Sequence, residues 1–268
     1  NNVQESLQRY APLGEYVTIA TPVASSLQPE ESQNMNLGFI IRPDERSQIT
    51  FDYFSIAFTN GFGTEAATCP CAEIVYVTPG DPNSGIARIE TELINGDDVD
   101  ISGLDFEGTV GFDAGNTVMQ FSYGGTYLTQ YDVAGAISGG TYDALGKFNT
   151  RSADSPINLR SVPELQLYLG LGIEIDIHSI NMYVRHVGEY DVPDTITAAY
   201  QFIDKIDSMN TLDFNYSVRL ADDRVRINLS AYNLLGEDPP LAPSELGYDA
   251  YSHSPVGTII KAGLQYRF

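Results

Sequence analysis

The two cysteines are the most reactive side chains in this sequence, and they stand two residues apart as Cys69-Pro70-Cys71. A disulfide between cysteines at this spacing is strained. A zinc site would need further soft ligands, and none stands nearby in the sequence. Despite this strain we prefer a disulfide, either within this loop or between chains. Free thiols are the next alternative, and a metal site is the last.

Three aspartates, Asp97, Asp98 and Asp100, could supply oxygen ligands to Ca²⁺. They lack the full spacing of a calcium-binding loop, so a solvated acidic turn is the preferred interpretation and a structural Ca²⁺ ion is the alternative. We expect no other cofactor.

Histidine occurs only at His178, His186 and His253, and no two of them have metal-ligand spacing on one face. Ordinary positions in strands or loops explain them better than a metal site does. The sequence also offers no Ser-His-Asp set and no glycine-rich phosphate loop with supporting context. We predict that the protein is not an enzyme and holds no metal through these residues.

The composition indicates a β-rich chain without affinity for nucleic acid. The 268 residues include 24 glycines, 17 tyrosines and 12 phenylalanines but no tryptophan, and only 19% are charged. The formal charge of −22 excludes nucleic acid as a partner, because phosphate contacts require an excess of lysine and arginine. No stretch approaches the roughly 18 apolar residues of a membrane helix, so a membrane-spanning form would have to be a closed β-barrel.

The last strand of the sequence has one apolar face and one mostly polar face, so its two faces must have different surroundings. Its apolar row contrasts with a mostly polar one, since Ile260, Ala262, Leu264, Tyr266 and Phe268 alternate with Lys261, Gly263, Gln265 and Arg267. One alternative is a half-buried strand of a soluble β-sandwich. The pattern is equally typical of a strand with one face in lipid and the other in a polar lumen.

Similar alternation predicts about nine strands in the chain. Beside the last strand they lie at about 34–42, 48–58, 104–112, 119–124, 165–171, 173–187, 211–219 and 224–232. The parity changes near Ser179, where we expect a β-bulge. Residues 1–30 are predicted to be a long loop.

Long and short connections alternate between these strands, as they do in membrane barrels. The side chains predicted to face lipid are Leu165, Leu167, Leu169, Phe214, Tyr216, Ile227, Leu229, Leu264 and Phe268. The opposite face repeatedly carries aspartate, arginine, glutamine and asparagine, which a polar lumen allows and a sandwich core does not.

Several short motifs, in order along the chain, resemble the TonB-dependent outer-membrane receptors. They are Leu27-Gln28-Pro29-Glu30-Glu31-Ser32 with Asn36-Leu37-Gly38, Gly103-Leu104-Asp105-Phe106-Glu107, Asn233-Leu234-Leu235-Gly236-Glu237-Asp238-Pro239-Pro240, Tyr248-Asp249, Ser254-Pro255 with Gly257, and Tyr266-Arg267-Phe268. Each motif is weak, but their order and spacing are specific.

The resemblance implies an all-β fold, with these nine strands as the last nine of a 22-stranded transmembrane barrel. Residues 1–268 would form the C-terminal portion of a receptor in the bacterial outer membrane, without its plug domain. The implied partners are membrane lipid and lipopolysaccharide, the missing N-terminal half or another chain that completes the barrel, and TonB through the absent plug. The barrel assembly machinery would recognise the terminal strand through Phe268, Tyr266 and Leu264.

The implied function is active uptake of a scarce nutrient, either an oligosaccharide, a peptide or a metal chelate. A structural barrel whose long loops bind a partner protein is the alternative. Tyr190, Tyr248, Tyr251 and Arg151 are candidate ligand-binding residues in the loops, although the tyrosines could instead form the aromatic girdle of the membrane. Because the loops are acidic, we expect a carbohydrate or peptide ligand in preference to an anionic ferric siderophore.

Overall fold

The computed structural model describes residues 3–10, 15–23, 25–64, 72–135, 139–148, 160–194 and 203–268. β-Strands dominate these residues, with a short 3-10 helix at Pro82–Ser84. No helix among them is long and apolar enough to cross a membrane. Cys69, Cys71 and Arg151 lie outside the described residues.

The strands follow one another along the chain as β1 (Val3–Tyr10), β2 (Glu15–Pro22), β3 (Glu31–Asp44), β4 (Ser47–Thr59), β5 (Phe62–Thr64), β6 (Glu73–Tyr76), β7 (Ile86–Glu90), β8 (Leu93–Asn95), β9 (Asp97–Ala114), β10 (Thr117–Gly135), β11 (Gly140–Asp143), β12 (Leu165–Ile175), β13 (His178–Val187), β14 (Tyr190–Asp191), β15 (Lys205–Ile206), β16 (Met209–Leu220), β17 (Val225–Tyr232) and β18 (Ile259–Tyr266).

The first of two compact units comprises Asn1–Asn34, Ile56–Asp100 and Asp132–Asp143. It holds a sheet in the order β1-β2-β7-β6 and the pair β5-β8. Val17, Ile19 and Ile89 form its small apolar core. The prediction of a loop over residues 1–30 is wrong here, because β1 and β2 pair antiparallel and β2 then pairs in parallel with β7. Such a partner, some seventy residues away, leaves no local signal in the sequence.

The second unit comprises Met35–Ser55, Ile101–Tyr131 and Ala144–Phe268. Apart from the short pair β14-β15, its strands belong to the largest sheet, which runs in the order β18-β17-β16-β13-β12-β10-β9-β4-β3. These nine strands confirm the predicted number. β11 pairs with β10 beside this path. The order ends at β3 and β18, so the described strands form an open sheet and not a closed barrel.

The register of the second unit gives the sheet two different faces. Leu229 lies opposite Tyr216 on one neighbour and Ala262 on the other, and Ile227 lies between Val218 and Leu264. The predicted lipid-facing residues of β12, β16, β17 and β18 therefore share one side of the sheet, which we call the apolar face. We call the opposite side the polar face; it carries Gln166, Tyr168, Arg185, Asp213, Asn215, Ser217, Asn228, Ser230, Lys261 and Gln265.

The expected β-bulge near Ser179 is a hairpin turn instead. β12 continues as far as Ile175, which pairs with His178 at the start of β13, and only Asp176 and Ile177 connect them. Asp176 has a φ of 50°, a left-handed conformation that aspartate tolerates in tight turns. The change of parity in the sequence marks this reversal, because the turn starts a new count of alternating sides.

Replacing Leu229 by arginine should destabilise the receptor that contains this chain by about 2–4 kcal/mol if the residue lies near the bilayer midplane, since the guanidinium would face lipid. The measurement is the free energy of folding in lipid from a denaturant titration. Asn228→Arg is the matched control, because Asn228 lies on the polar face between Ser217 and Gly263. Equal losses in the two variants would contradict the assignment of faces.

Candidate functional site

A groove on the sheet of the second unit brings polar and aromatic side chains together where β9, β10, β12 and β13 lie side by side. Its volume is about 470 Å³, which is the size of a small-ligand pocket. The lining residues are Asp105, Phe106, Glu107, Gly124, Gly125, Thr126, Gln166, Leu167, Tyr168, Arg185, His186 and Val187.

Register explains why the polar residues of the groove meet. Gly124 lies opposite Tyr168, which in turn lies opposite Arg185, so these three form one row across the sheet. Thr126 lies opposite Gln166 in the next row of the same face, and its hydroxyl donates to the Asp105 carboxylate at 2.5 Å. The groove therefore presents carboxylate, hydroxyl, amide and aromatic groups to one space.

Two glycines of the polar face make room for tyrosine rings. A Cβ on Gly124 would come within 2.7 Å of the Tyr168 ring, and one on Gly170 within 2.8 Å of the Tyr183 ring. Each ring thus lies across the neighbouring strand at a glycine, where any side chain would displace it. The result is a pair of flat aromatic surfaces along the polar face.

Asp213 organises the polar face beside this groove. Its side chain is almost fully buried, with 3% of the residue exposed. One carboxylate oxygen accepts from Arg185 Nη1 at 2.5 Å and the other from the backbone N–H of Asn233 at 3.0 Å. Because a buried carboxylate is costly unless it is paired and hydrogen-bonded, these two donors stabilise it in this position.

Asn233 extends the same network into the loop that follows β17. Its side chain donates to the Glu237 carbonyl at 2.8 Å and accepts from the Glu237 N–H at 3.0 Å. The Thr258 hydroxyl donates to the Asn233 carbonyl at 2.7 Å. Asn233 has a φ of 46°, a conformation that asparagine tolerates better than most residues. The Asn-Leu-Leu-Gly-Glu motif is therefore a loop anchor in this structure.

A second cluster of side chains lies in the loops of the same unit. We call it the loop cluster; its core consists of Phe148, Tyr190, Val192, Ile206 and Ala242. Tyr190 is 2% exposed, and its hydroxyl donates to Asp249 Oδ2 at 2.7 Å. The ring of His253 stacks on Tyr190 with 6.0 Å between centroids and 9° between planes. The short pair β14-β15 supplies Tyr190 and Ile206.

Burial shifts the pKa values of both stacked rings. Burial raises the pKa of Tyr190 far above its usual value, and the hydrogen bond to Asp249 adds to this rise. Burial lowers the pKa of His253, and the charge of Asp249 only partly opposes that effect. Neither ring nitrogen of His253 has a hydrogen-bond partner among the described residues. Burial in the loop cluster therefore disfavours the charged form of His253.

Known proteins identify the family to which this sheet belongs. A model of the family described as "TonB dependent receptor-like, beta-barrel" matches residues 5–234, which is most of the chain. The chain belongs to the TonB-dependent receptor family. As a family member it is a protein of the bacterial outer membrane. Among curated proteins, no significant relative was found.

Several solved structures share the fold of this chain at low sequence identity. The siderophore receptor PirA from Acinetobacter baumannii is 15% identical over 95% of this chain and 34% of its own, with a TM-score of 0.61. A mutant of the ferric enterobactin receptor PfeA from Pseudomonas aeruginosa is 16% identical over 94% and 33%, with a TM-score of 0.61. The FrpB iron transporter from Neisseria meningitidis is 12% identical over 92% and 33%, with a TM-score of 0.58. The chain thus spans about a third of the length of these structures.

The residues predicted to bind ligand in this receptor chain have different environments. Tyr190 belongs to the buried loop cluster, so the stacking role expected for it does not fit its position. Tyr251 is 48% exposed, and the guanidinium of Arg160 lies 5.5 Å from its ring centroid. The carbonyl of the half-buried Tyr248 accepts from Ser244 Oγ at 2.7 Å. Arg160 is therefore the cation that the structure places beside a candidate tyrosine, whereas Arg151 lies outside the described residues.

The remaining predicted residues occupy strands and turns. His178 Nδ1 is 2.6 Å from the Tyr216 hydroxyl, and His186 Nδ1 is 2.9 Å from Asn210 Oδ1. Asp98 accepts from the N–H of Asn60 at 3.0 Å. In the described part of the chain, no group of three or more histidines, cysteines or carboxylates is placed to hold a metal ion. At the end of the chain, Leu264, Tyr266 and Phe268 are exposed, and the last two rings meet edge to face at 5.0 Å.

Sequence reasoning did not single out the groove residues Tyr168 and Arg185, nor Asp213. One signal was available, since Gly124 and Gly125 stand together inside a strand that has no turn there. Glycine inside a strand often marks a close approach of a neighbouring group. Its partner Tyr168 could be found only with the register of β10 and β12.

Replacing Asp213 by alanine should destabilise the loop after β17 by about 1–3 kcal/mol, because the buried N–H of Asn233 would lose its acceptor. Asp213→Asn should cost less, since its side-chain oxygen can still accept from Asn233. The measurement is the rate of limited proteolysis after residue 233 in the assembled receptor. Similar protection in Asp213→Ala and the unchanged receptor would show that the network does not anchor this loop.

The loop cluster should loosen as the pH falls below about 6.5, the ordinary pKa of histidine. Since the folded cluster lowers the pKa of His253, its opened form binds protons more readily, and stability present above pH 6.5 is lost on acidification. Hydrogen exchange of residues 242–253 at several pH values measures this change. His253→Phe keeps a ring on Tyr190 and should remove the pH dependence between pH 7 and 5; an unchanged dependence would assign it to another group.

Proposed function

We propose that this chain is the C-terminal part of a receptor that takes up a scarce nutrient across the bacterial outer membrane, energised through TonB. The observation that carries the proposal is the family match over residues 5–234. The two-faced sheet supports it, since an apolar face suits lipid and a polar face suits a lumen through which a polar ligand passes. The plug and the TonB-contacting segment would belong to the rest of the receptor.

The ligand proposed for this receptor is a neutral or cationic polar molecule, either an oligosaccharide or a peptide. Asp105 and Glu107 bring two carboxylates to the groove, while the single guanidinium of Arg185 is already paired with Asp213. An anionic chelate would meet an unfavourable local charge there. Hydroxyl and amide groups would instead find acceptors in the carboxylates and a flat surface in the Tyr168 ring.

A metal chelate is the second candidate ligand. The structures that this chain resembles include a siderophore receptor, a ferric enterobactin receptor and an iron transporter. Their identities to this chain, between 12% and 16%, support the shared fold and not a shared ligand. The charge of the groove therefore decides our preference.

Transport is tested with the complete receptor expressed in cells with and without functional TonB. We expect growth on a limiting oligosaccharide or peptide only where both the receptor and TonB are present. Growth that needs the receptor but not TonB would favour a passive pore. No growth effect, together with capture of a partner protein by the loops, would favour the alternative of a surface-interaction barrel.

Ligand class is tested by calorimetric binding to the purified complete receptor. Tyr168→Ala should weaken binding of an oligosaccharide or peptide by about 1 kcal/mol, or about fivefold in Kd, through the loss of ring contact. Tyr123→Ala is the matched control, because Tyr123 lies opposite Leu169 on the apolar face. Tight binding of a ferric siderophore, with none of oligosaccharides or peptides, would overturn the ligand class and leave the transport proposal standing.

A further inference from the structure

A small cavity at the turn between β16 and β17 gathers positive charge in a strongly acidic chain. Four of the 14 lysines and arginines line it, although the formal charge of the chain is −22. Its volume is about 100 Å³. The lining residues, which we call the arginine cluster, are Arg219, Arg224, Arg226 and Arg267 together with Asp223 and Gln265.

The register of the last three strands brings these arginines together. Arg219 lies opposite Arg226, and Arg226 lies opposite Gln265 on its other side. The N–H of Arg267 donates to the carbonyl of Arg224 at 2.8 Å, which continues the ladder past the end of β18. Cross-strand pairs of like charge destabilise a sheet unless another group compensates them.

The arginine cluster lies on the polar face. The row of Arg219, Arg226 and Gln265 is next to the row of Val218, Ile227 and Leu264, and adjacent rows point to opposite sides of a sheet. The latter row belongs to the apolar face, so the guanidinium groups point away from the surface assigned to lipid.

The described residues neutralise little of this charge. Asp223 Oδ1 lies 3.7 Å from Arg219 Nε, but the Asp223 side chain is 69% exposed, and exposed pairs at that distance contribute little. Arg219 also donates to the carbonyl of Asp176 at 3.1 Å, which carries no net charge. Within the described part of the chain, no carboxylate lies within 4 Å of the guanidinium nitrogens of Arg224, Arg226 or Arg267.

We propose that the arginine cluster is a docking site for a carboxylate-rich segment of the receptor that lies outside residues 1–268. Planar guanidinium groups bind carboxylates through paired hydrogen bonds, and several converging guanidinium groups favour a multiply charged partner. Binding of such a segment removes the repulsion between Arg219 and Arg226.

Two observations favour a segment of the same receptor over a lipid phosphate. The cluster is on the polar face, where lipid headgroups do not lie. In addition, this chain spans about a third of the structures it resembles, so most of the receptor remains to supply the acidic segment. The inference rests on the proposal that the chain is one part of a longer receptor, and its test does not depend on the transported ligand.

The test places a photo-crosslinking amino acid at position 265 of the complete receptor in cells. Gln265 lines the cavity, and its replacement leaves all four arginines in place. We expect an adduct within the receptor, and mass spectrometry should identify its other half as a peptide with several Asp or Glu residues outside residues 1–268. Arg219→Gln combined with Arg226→Gln should abolish this adduct.

The matched control carries the same crosslinker at position 264. Leu264 neighbours Gln265 but lies on the apolar face, so its adducts should be with lipid. An adduct of position 265 with lipopolysaccharide or phospholipid, with another protein, or with a receptor peptide that lacks acidic residues would overturn the proposal. So would the absence of an adduct, or an adduct unaffected by the two arginine substitutions.

A second measurement separates the proposed segment from a free anion. Inorganic phosphate should leave the melting temperature of the complete receptor unchanged relative to chloride at equal ionic strength, because the cluster is already occupied. A rise in melting temperature that disappears in the double arginine variant would assign the site to free phosphate and contradict the proposal. A receptor that gives the expected adduct but no TonB-dependent uptake would reject the proposed function alone.

Discussion

Hydrogen bonding between neighbouring strands is the constraint on which this structure depends. In lipid, each backbone N–H and C=O needs a partner within the protein, so a spanning strand must pair along its length. β17 meets this requirement by pairing with β16 on one side and β18 on the other. The same pairing sets the register, and a slip of one residue would move Leu229 and its row to the polar face. The groove, the anchor at Asp213 and the arginine cluster all follow from this register.

The sequence predicts the part of this sheet that is encoded locally. Alternation within a strand depends on neighbouring residues alone, so the nine strands and the apolar row of Ile227, Leu229 and Leu264 can be recognised from the order of the amino acids. The predictions are wrong where a strand pairs with a distant partner, or where a tight turn interrupts the alternation of side chains between the two faces. β2 pairs with β7, which lies about seventy residues later in the chain. The turn at Asp176 resembles a bulge in the sequence because a turn and a bulge both change the parity of the alternating pattern.

The candidate site is less accessible to sequence reasoning, because its contacts cross strands that are far apart in the chain. Tyr168 lies over Gly124, and Arg185 pairs with Asp213 on another strand. Neither pair of residues stands at a fixed separation in the sequence, so no motif reveals the contact. Composition was also a poor guide to exposure in the loops, where Tyr190 looked available for a ligand. In the structure the Tyr190 hydroxyl donates a hydrogen bond to Asp249, and its ring stacks on His253. The side chain is therefore buried and structural.

The net charge of −22 does not predict the local charge at either end of the polar face, that is, at the groove or at the arginine cluster. Thr211 lies opposite Arg185 beside the groove, and Arg219 is eight residues further along the same strand. At the usual rise of a strand this separation is about 26 Å, which exceeds the screening length of about 8 Å in physiological salt. The carboxylates of the groove and the arginine cluster therefore act on their surroundings almost independently. The two proposals, repulsion of anions at the groove and binding of carboxylates at the arginine cluster, are therefore compatible, because local register, and not the charge of the whole chain, sets the field at each end of the polar face.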